Sequence, residues 1–376
     1  MIILTLFDYN KFVPLLTLVK DETLKIYNLY HPASGISLYE AEQNKSFIRN
    51  LLETNKNIIC NDFKTHLKCF NLNLDAKYDV YDICCDRPAN NQDLNESKKN
   101  LLRLMKSIDT HGEPWMKLTS EASVVYQYLE NKGYSYFGKL VRPTFFLDTY
   151  TGRARSAGFS IHGMGDKEDI RSIDSSRDTF VHFDWVSADI RFAGLLSKDV
   201  ELLEMFNDSD PYTYLSQQLN IDRDSFKVSF LASMYNRNYD DPIFGLFPDF
   251  ISWLKNIGEN ADSKKPITDI MGRPYVSNKD HNEKAAINAA MQGSVAEAVK
   301  AAFKKIYTLD KDVLFSDIYD SIVCACSRSV VKDVIEEVGK IIYRPFEGIL
   351  DYDITLPYKI SVGNRWCKWK TLKVIR

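Results

Sequence analysis

The sequence has no C-x-x-C pair. Its seven cysteines are scattered over 376 residues. Cys84 and Cys85 are adjacent, and Cys324 and Cys326 alternate along one segment. His66 precedes Cys69 by three residues, but no second pair at such spacing completes a site. A zinc site or disulfide framework is therefore not expected, and reduced thiols of a cytosolic protein are the reading. No apolar run approaches the ~18 residues of a membrane span. The opening stretch, MIILTLFDYNKFVPLL, lacks a basic flank and carries Asp8, which makes it a poor signal peptide. Internal repeats and low-complexity tracts are lacking. So is a charge bias: 48 Lys and Arg against 51 Asp and Glu leave a net charge of −3. That balance gives no sign of a nucleic-acid partner, although a local basic groove can sit on a near-neutral protein.

What remains is ordinary globular material, 45% hydrophobic and 26% charged, long enough for two domains and a sizeable core. Residues 3–8, 14–19 and 24–31 read as short strands, with a turn at KDET between the last two. Helical spacing follows over 38–55, then a strand at NIIC and a short helix at FKTHLKCF. The polar stretch 87–100 is the best linker. Helices are expected at about 96–107 and 120–132, and strand-rich chain from YSYFGKLVRPTFFLDTYTGR onward. The fold class is mixed α/β (α+β) in two parts.

Several segments carry chemistry-bearing residues. In FVHFDWVSADIRFAGLLS a strand ends at Asp184, where an Asp commonly caps the following turn or helix. In DRDSFKVSFLASMYNR, Arg223, Lys227, Leu231 and Tyr235 stand four apart and so stack on one helix face. Such a helix is either amphipathic, burying Phe226, Phe230 and Met234, or a grip for polyphosphate at its N-terminal half. Residues 283–307 form a helix rich in small residues, holding Asn288, Gln292 and Gly293, suited to close packing. In VLFSDIYDSIVCAC two acids interrupt a β-prone run. Strands at 313–318 and 322–326 would flank a tip at Tyr319–Asp320, where a carboxylate can face solvent. Asp317 is then a solvated or hydrogen-bonded neighbour.

Taken in order, these segments resemble the family A DNA polymerases, the group of DNA polymerase I and compact phage replicases. TGRARSAGFSIHG is similar to the family's T-G-R segment and FDWVSADIR to motif A. RDSFKVSFLASMY is similar to the fingers helix, MGRPYV to the G-R-x-R-Y segment and NAAMQGSVAEAVK to N-x3-Q-G-x-A-A-D. IYDSIV is similar to motif C and LPYKISVGNRW to the closing strand. The likeness spans about residues 141–376. It implies a polymerase palm and shortened fingers at 141–376, a linker or reduced thumb at 96–140, and a small RNase H-like/exonuclease-like α/β domain at 1–95. In that last region LFDYN would match D-x-E through Asp8 but not Asn10, and no Y-x3-D is present. A degenerate 3′–5′ exonuclease without proofreading and an unrelated α/β accessory domain both remain open.

The resemblance implies template-directed addition of dNTPs to a primer 3′-OH, with two Mg²⁺ ions on Asp184, Asp320 and the backbone carbonyl of Trp185. It gives Arg223 and Lys227 to the triphosphate, with Lys227 a candidate proton donor to pyrophosphate. Leu231 and Tyr235 go to the nucleotide and templating position, Asp189 to exclusion of a 2′-OH, and Tyr212 to the place of a phosphate-contacting His. Arg153, Asn288, Gln292 and Tyr319 are expected on DNA. Departures are Ser321 for the motif C Glu, Tyr319 for its His, Asp189 for a Glu and Lys284 for an Arg. Expected partners are primer–template DNA and dNTPs, with room for a processivity or replisome protein and none for a membrane. The expected location is cytoplasmic, the host's cytoplasm if phage-encoded. Two alternatives stay open: a non-catalytic polymerase-like scaffold, and a single-subunit RNA polymerase, against which the acid at 189 counts.

Overall fold

The computed structural model describes residues 2–4, 57–60, 79–82, 114–136, 139–147, 149–163, 170–171, 177–208, 210–235, 245–275, 283–309, 313–366 and 368–375. The chain divides into two compact units, Met1–Lys132 with Arg142–Thr149 and Ala154–Phe159, and Gly133–Val141 with Tyr150–Arg153 and Ser160–Arg376.

In the first unit, strands β1 (Ile2–Leu4), β2 (Asn57–Cys60) and β3 (Asp79–Asp82) pair in that order, all parallel. NIIC is a strand as expected, and β1 falls at the first expected strand. β3 was not foreseen, because its sequence DVYD lacks a plain apolar alternation. The other expected strands and the helices at 38–55, FKTHLKCF and 96–107 lie outside the described residues, as do Asp8 and Asn10. Helix α1 (Pro114–Lys132) begins six residues earlier than periodicity suggested. A Pro in the first turn is the physical reason, since it gives up only an N–H that has no helical partner there. Its inward face buries Trp115, Leu118, Tyr126 and Leu129. The Glu130 carboxylate accepts a hydrogen bond from the Phe145 backbone N–H at 2.5 Å.

The second unit takes up the chain with β4 (Tyr134–Tyr136), β5 (Lys139–Val141) and, in the first unit again, the hairpin β6 (Thr144–Phe146) and β7 (Arg155–Ala157). β8 (Ile170–Arg171) pairs with β4. Strand β9 (Thr179–Trp185) then leads to helices α2 (Ala188–Ser197), α3 (Val200–Asp208), α4 (Pro211–Gln218), α5 (Arg223–Tyr235) and α6 (Pro248–Asp262). The short pair β10 (Ile267–Thr268) and β11 (Pro274–Tyr275) precedes α7 (Glu283–Tyr307). The hairpin β12 (Leu314–Ile318) and β13 (Ser321–Cys326), helix α8 (Val331–Tyr343) and the strands β14 (Tyr358–Arg365) and β15 (Lys368–Ile375) complete it.

These strands make an antiparallel sheet in the order β12-β13-β9-β14-β15. β9 is central and its alternation decides its two faces. Val181, Phe183 and Trp185 are buried, while His182 and Asp184 are only partly so. The Trp185 indole N–H is satisfied by the Ile342 carbonyl at 2.9 Å. Helix α7 is buried nearly all round and carries Ala at 286, 289, 290, 298, 301 and 302, which lets neighbours approach closely. A second core joins α2 to α7 through Phe226, Phe230, Met234, Phe247, Phe250 and Leu254. Asp199, fully buried, ties that region together: its two carboxylate oxygens accept from the backbone N–H groups of Leu202 and Phe250, each at 2.9 Å, so one side chain serves the start of both α3 and α6. No described helix is long and apolar enough to cross a membrane.

Candidate active site

The sheet register brings the two acids of interest to one edge. Asp184 lies directly across from Ser321 on β13 and from Lys359 on β14. Asp320 immediately precedes Ser321, in the turn that joins β12 to β13. Tyr319 occupies that turn with φ of 56°, a left-handed conformation that throws the chain over sharply, and its ring is exposed. The tip therefore sits at Tyr319–Asp320 as the sequence suggested. Asp317 follows one of its two expected readings, the partnered one. It is buried rather than solvated, and the His162 Nε2 lies 3.2 Å from its Oδ1. Burial pushes His162 down, but the Asp317 carboxylate outweighs it and raises the imidazole above its ordinary value.

Asp184 does not cap the following helix. The residue before α2 is Ser187, in a left-handed conformation, and the Asp184 Oδ2 instead pairs with Lys359 Nζ at 3.0 Å. Two further carboxylates stand close. Burial, then the charges of Asp184 and Asp189, hold Asp320 above the usual carboxylate range, against the pull of its own backbone N–H and Arg153. Burial also raises Asp189, in the first turn of α2, opposed by Arg153 and Lys227. Its Oδ1 is buried with no hydrogen-bond partner among the described residues. His182, two residues before Asp184 on the same strand face, is driven down to about 4 by burial, with Lys359 adding to the effect and Asp184 opposing it.

Lys227 thus reaches this edge from α5. That helix is placed by the aromatic side the sequence singled out: Phe226, Phe230 and Met234 are all buried. Tyr212 of α4 packs its ring on Phe226 and Phe230, at 6.4 and 6.0 Å between centroids. The Lys227 ammonium lies 5.3 Å from the centre of the same Tyr212 ring, and the Arg223 guanidinium 6.0 Å. Arg223 is already engaged, donating to Asp210 and Asp224 at 2.7 Å each. Burial would raise Asp210, but hydrogen bonds from Ser187, Arg223 and Thr213 bring it below its ordinary value. Leu231 is half-buried against the aromatic core. Tyr235 ends α5, and its side chain lies outside the described residues. Asn288 and Gln292 are half-buried on α7.

Sequence reasoning missed a second constellation in the same unit. Asp269, Arg273, Tyr275, Glu297 and Lys300 are all buried, and Lys300 Nζ meets Glu297 Oε1 at 2.6 Å. Arg273 Nη1 lies 3.7 Å from the same oxygen. The Tyr275 hydroxyl donates to Asp269 at 2.9 Å, as do the N–H groups of Met271 (2.9 Å) and Arg273 (3.0 Å). Two glycines of the quoted motifs belong here. Gly152 has φ of 70°, and a Cβ there would strike the Arg273 guanidinium; a Cβ on Gly293 would strike the Tyr275 hydroxyl. The T-G-R, M-G-R-P-Y and Q-G segments are therefore neighbours through their glycines. The spacing of charges in G-S-V-A-E-A-V-K, an i, i+3 acid–base pair on a helix of small residues, is the signal that could have found it.

Among the described residues no group of three or more His, Cys, Asp or Glu is arranged to hold a metal ion. Asp184 and Asp320 offer hard oxygens at one edge, a set that suits a cation taking its remaining ligands from phosphate and water. No family model matches the chain, and no curated protein matches it by sequence. Among solved structures, it is similar to the polymerase domain of Pol1 from M. smegmatis, in complex with DNA primer-template and dNTP, at 17% identity and a TM-score of 0.51. The match covers 73% of this chain and 54% of that one, so the chain spans about half of that protein's length. The likeness shows a polymerase-domain fold in a mixed helix and strand chain.

Proposed function

We propose that this chain is a template-directed DNA polymerase of the family A type, a compact phage-like member. It would extend a primer 3′-OH with dNTPs on a DNA template, without proofreading. The observation that supports the reading most is the placement of Asp184 and Asp320 at one sheet edge, within electrostatic reach of Asp189, which in turn feels Lys227 on a separate helix. Three acids facing cations from other elements suit a site where metals and phosphates bind between them.

In this reading Asp184 and Asp320 would hold two Mg²⁺ ions, with the Trp185 carbonyl as an auxiliary ligand. Such ions, when bound, lower the barrier by activating the attacking oxygen and neutralising the leaving pyrophosphate. The chain's own residues do the rest. Lys227 holds the triphosphate and can place a proton on the departing pyrophosphate oxygen. Arg223 joins it by exchanging the exposed Asp224 for phosphate, while Tyr212 supports both cations. Asp189 would close the sugar pocket against a 2′-OH, reaching one methylene less far than the Glu it replaces; its Oδ1 is buried without a hydrogen-bond partner among the described residues. Leu231 and Tyr235 back the base, and Arg153, Asn288, Gln292 and Tyr319 follow the DNA. Residues 1–95, 96–140 and 141–376 stand as exonuclease-like domain, linker or reduced thumb, and palm with fingers. A processivity partner would make up for the short thumb.

The test is extension of a labelled primer–template by the full chain with Mg²⁺ and either dNTPs or NTPs. Extension with dNTPs alone is expected. Extension with NTPs as the better substrate would make it an RNA polymerase, and DNA binding without extension would make it a scaffold.

A further inference from the structure

Asp184 is flanked on both sides of its strand, and its two neighbours differ in kind. Ser321 on β13 turns its hydroxyl away, donating to the Ile318 carbonyl at 2.9 Å. Lys359 on β14 turns towards Asp184, and its ammonium sits 3.0 Å from Oδ2. The cross-strand row Ser321–Asp184–Lys359 thus supplies no second acid and one cation. The partners are 41% and 30% exposed, open enough for the ammonium to swing away without unfolding anything. A long flexible stem with a compact charge suits such an exchange.

We propose that Lys359 is an internal counter-ion that competes with divalent metal for Asp184 and keeps the empty site's metal affinity low. The inference rests on the reading of Asp184 as a metal ligand. In the absence of nucleotide, the site offers two carboxylates, one of them already held by Lys359. Arrival of a triphosphate adds oxygen ligands for the metal and an alternative anion for the lysine. Metal and nucleotide then bind together, and the ammonium moves from the carboxylate to phosphate. Lys359 acts through Asp184 before nucleotide binds and touches phosphate only afterwards.

Charge alone sets the expected size. A unit charge about 6 Å from a divalent ion, in a dielectric near that of water, changes affinity by about tenfold. The experiment is a Mn²⁺ titration of the nucleotide-free full chain, followed by electron paramagnetic resonance of the free ion. Four proteins are compared: wild type, Lys359→Gln, Lys359→Arg and Asp184→Asn, with circular dichroism to confirm folding. Lys359→Gln is expected to bind Mn²⁺ about tenfold more tightly, Lys359→Arg to stay near wild type, and Asp184→Asn to lose the site. Unchanged or weaker binding by Lys359→Gln, with Asp184→Asn still losing the site, overturns the competition and leaves the metal reading standing. Unchanged binding by Asp184→Asn overturns both. Should Lys359→Gln fail to fold, Lys359→Met in its place gives the same comparison with the same two outcomes.

Discussion

Two groups of ionisable side chains lie within one unit of this protein and are built in opposite ways. In the first, Glu297 touches Lys300 directly and Asp269 accepts from a hydroxyl and two backbone N–H groups, all away from water. At the edge, Asp320 and Asp189 are raised by burial and Asp320 further by its like-charged neighbours. Burial is thus common to both and does not separate scaffold from site. What separates them is whether the partner at contact distance is sealed in: Lys300 on Glu297 is buried, whereas Lys359 on Asp184 is 41% exposed and can leave. A carboxylate crowded by other carboxylates costs stability, and sites that keep such groups commonly do so for function.

The sharpest way to break this comparison is to remove one charged side chain from each group. Asp184→Ala is expected to lower nucleotide incorporation by about a thousandfold or more, since it takes away a metal ligand, with little change in melting. Lys300→Met should act in the reverse sense. It leaves Glu297 buried with its contact partner gone, which is expected to cost about 3–5 kcal/mol in denaturant unfolding. A Lys300→Met chain as stable as wild type would remove the distinction.

A smaller effect concerns pH. Burial and Glu297 push Asp269 up to about 7. Its folded value lies above its unfolded one, so the native state holds an extra proton between them. The stability this group contributes is full below about pH 4 and is lost as pH rises towards 7. Unfolding free energy measured across that window is expected to fall with rising pH in wild type and to fall less in Asp269→Asn. The smallest effect is expected where charge meets water on both sides. Lys340 and Glu336 pair at 2.9 Å on α8 while more than two-thirds exposed, and Glu336→Gln should leave the melting temperature unchanged.

The sequence made one of these groups legible and hid the other. Alternation and the four-residue stripe were enough to place β9, α5 and α7, and the turn at Tyr319–Asp320, because each carries its own period. The pairing of Ser321, Asp184 and Lys359 was out of reach, since cross-strand register is set by contacts distant in the chain. The same holds for Asp317, whose partner His162 lies 155 positions earlier, and for Gly293, whose need for glycine comes from Tyr275; at Gly152 the approach of Arg273 adds to a left-handed backbone. α1 began early because a proline start outweighed periodicity, and β3 escaped because DVYD carries no pattern of its own.

Asp184 and Asp320 are expected to act together in chemistry and apart from stability. Single-turnover incorporation of one dNTP by Asp320→Asn, measured beside its melting temperature, tests this most directly. The expected result is incorporation lost by about a hundredfold or more with the melting temperature unchanged or raised, because a repelled carboxylate has been neutralised. Incorporation kept near the wild-type rate, or lost only in step with a lowered melting temperature, would contradict it.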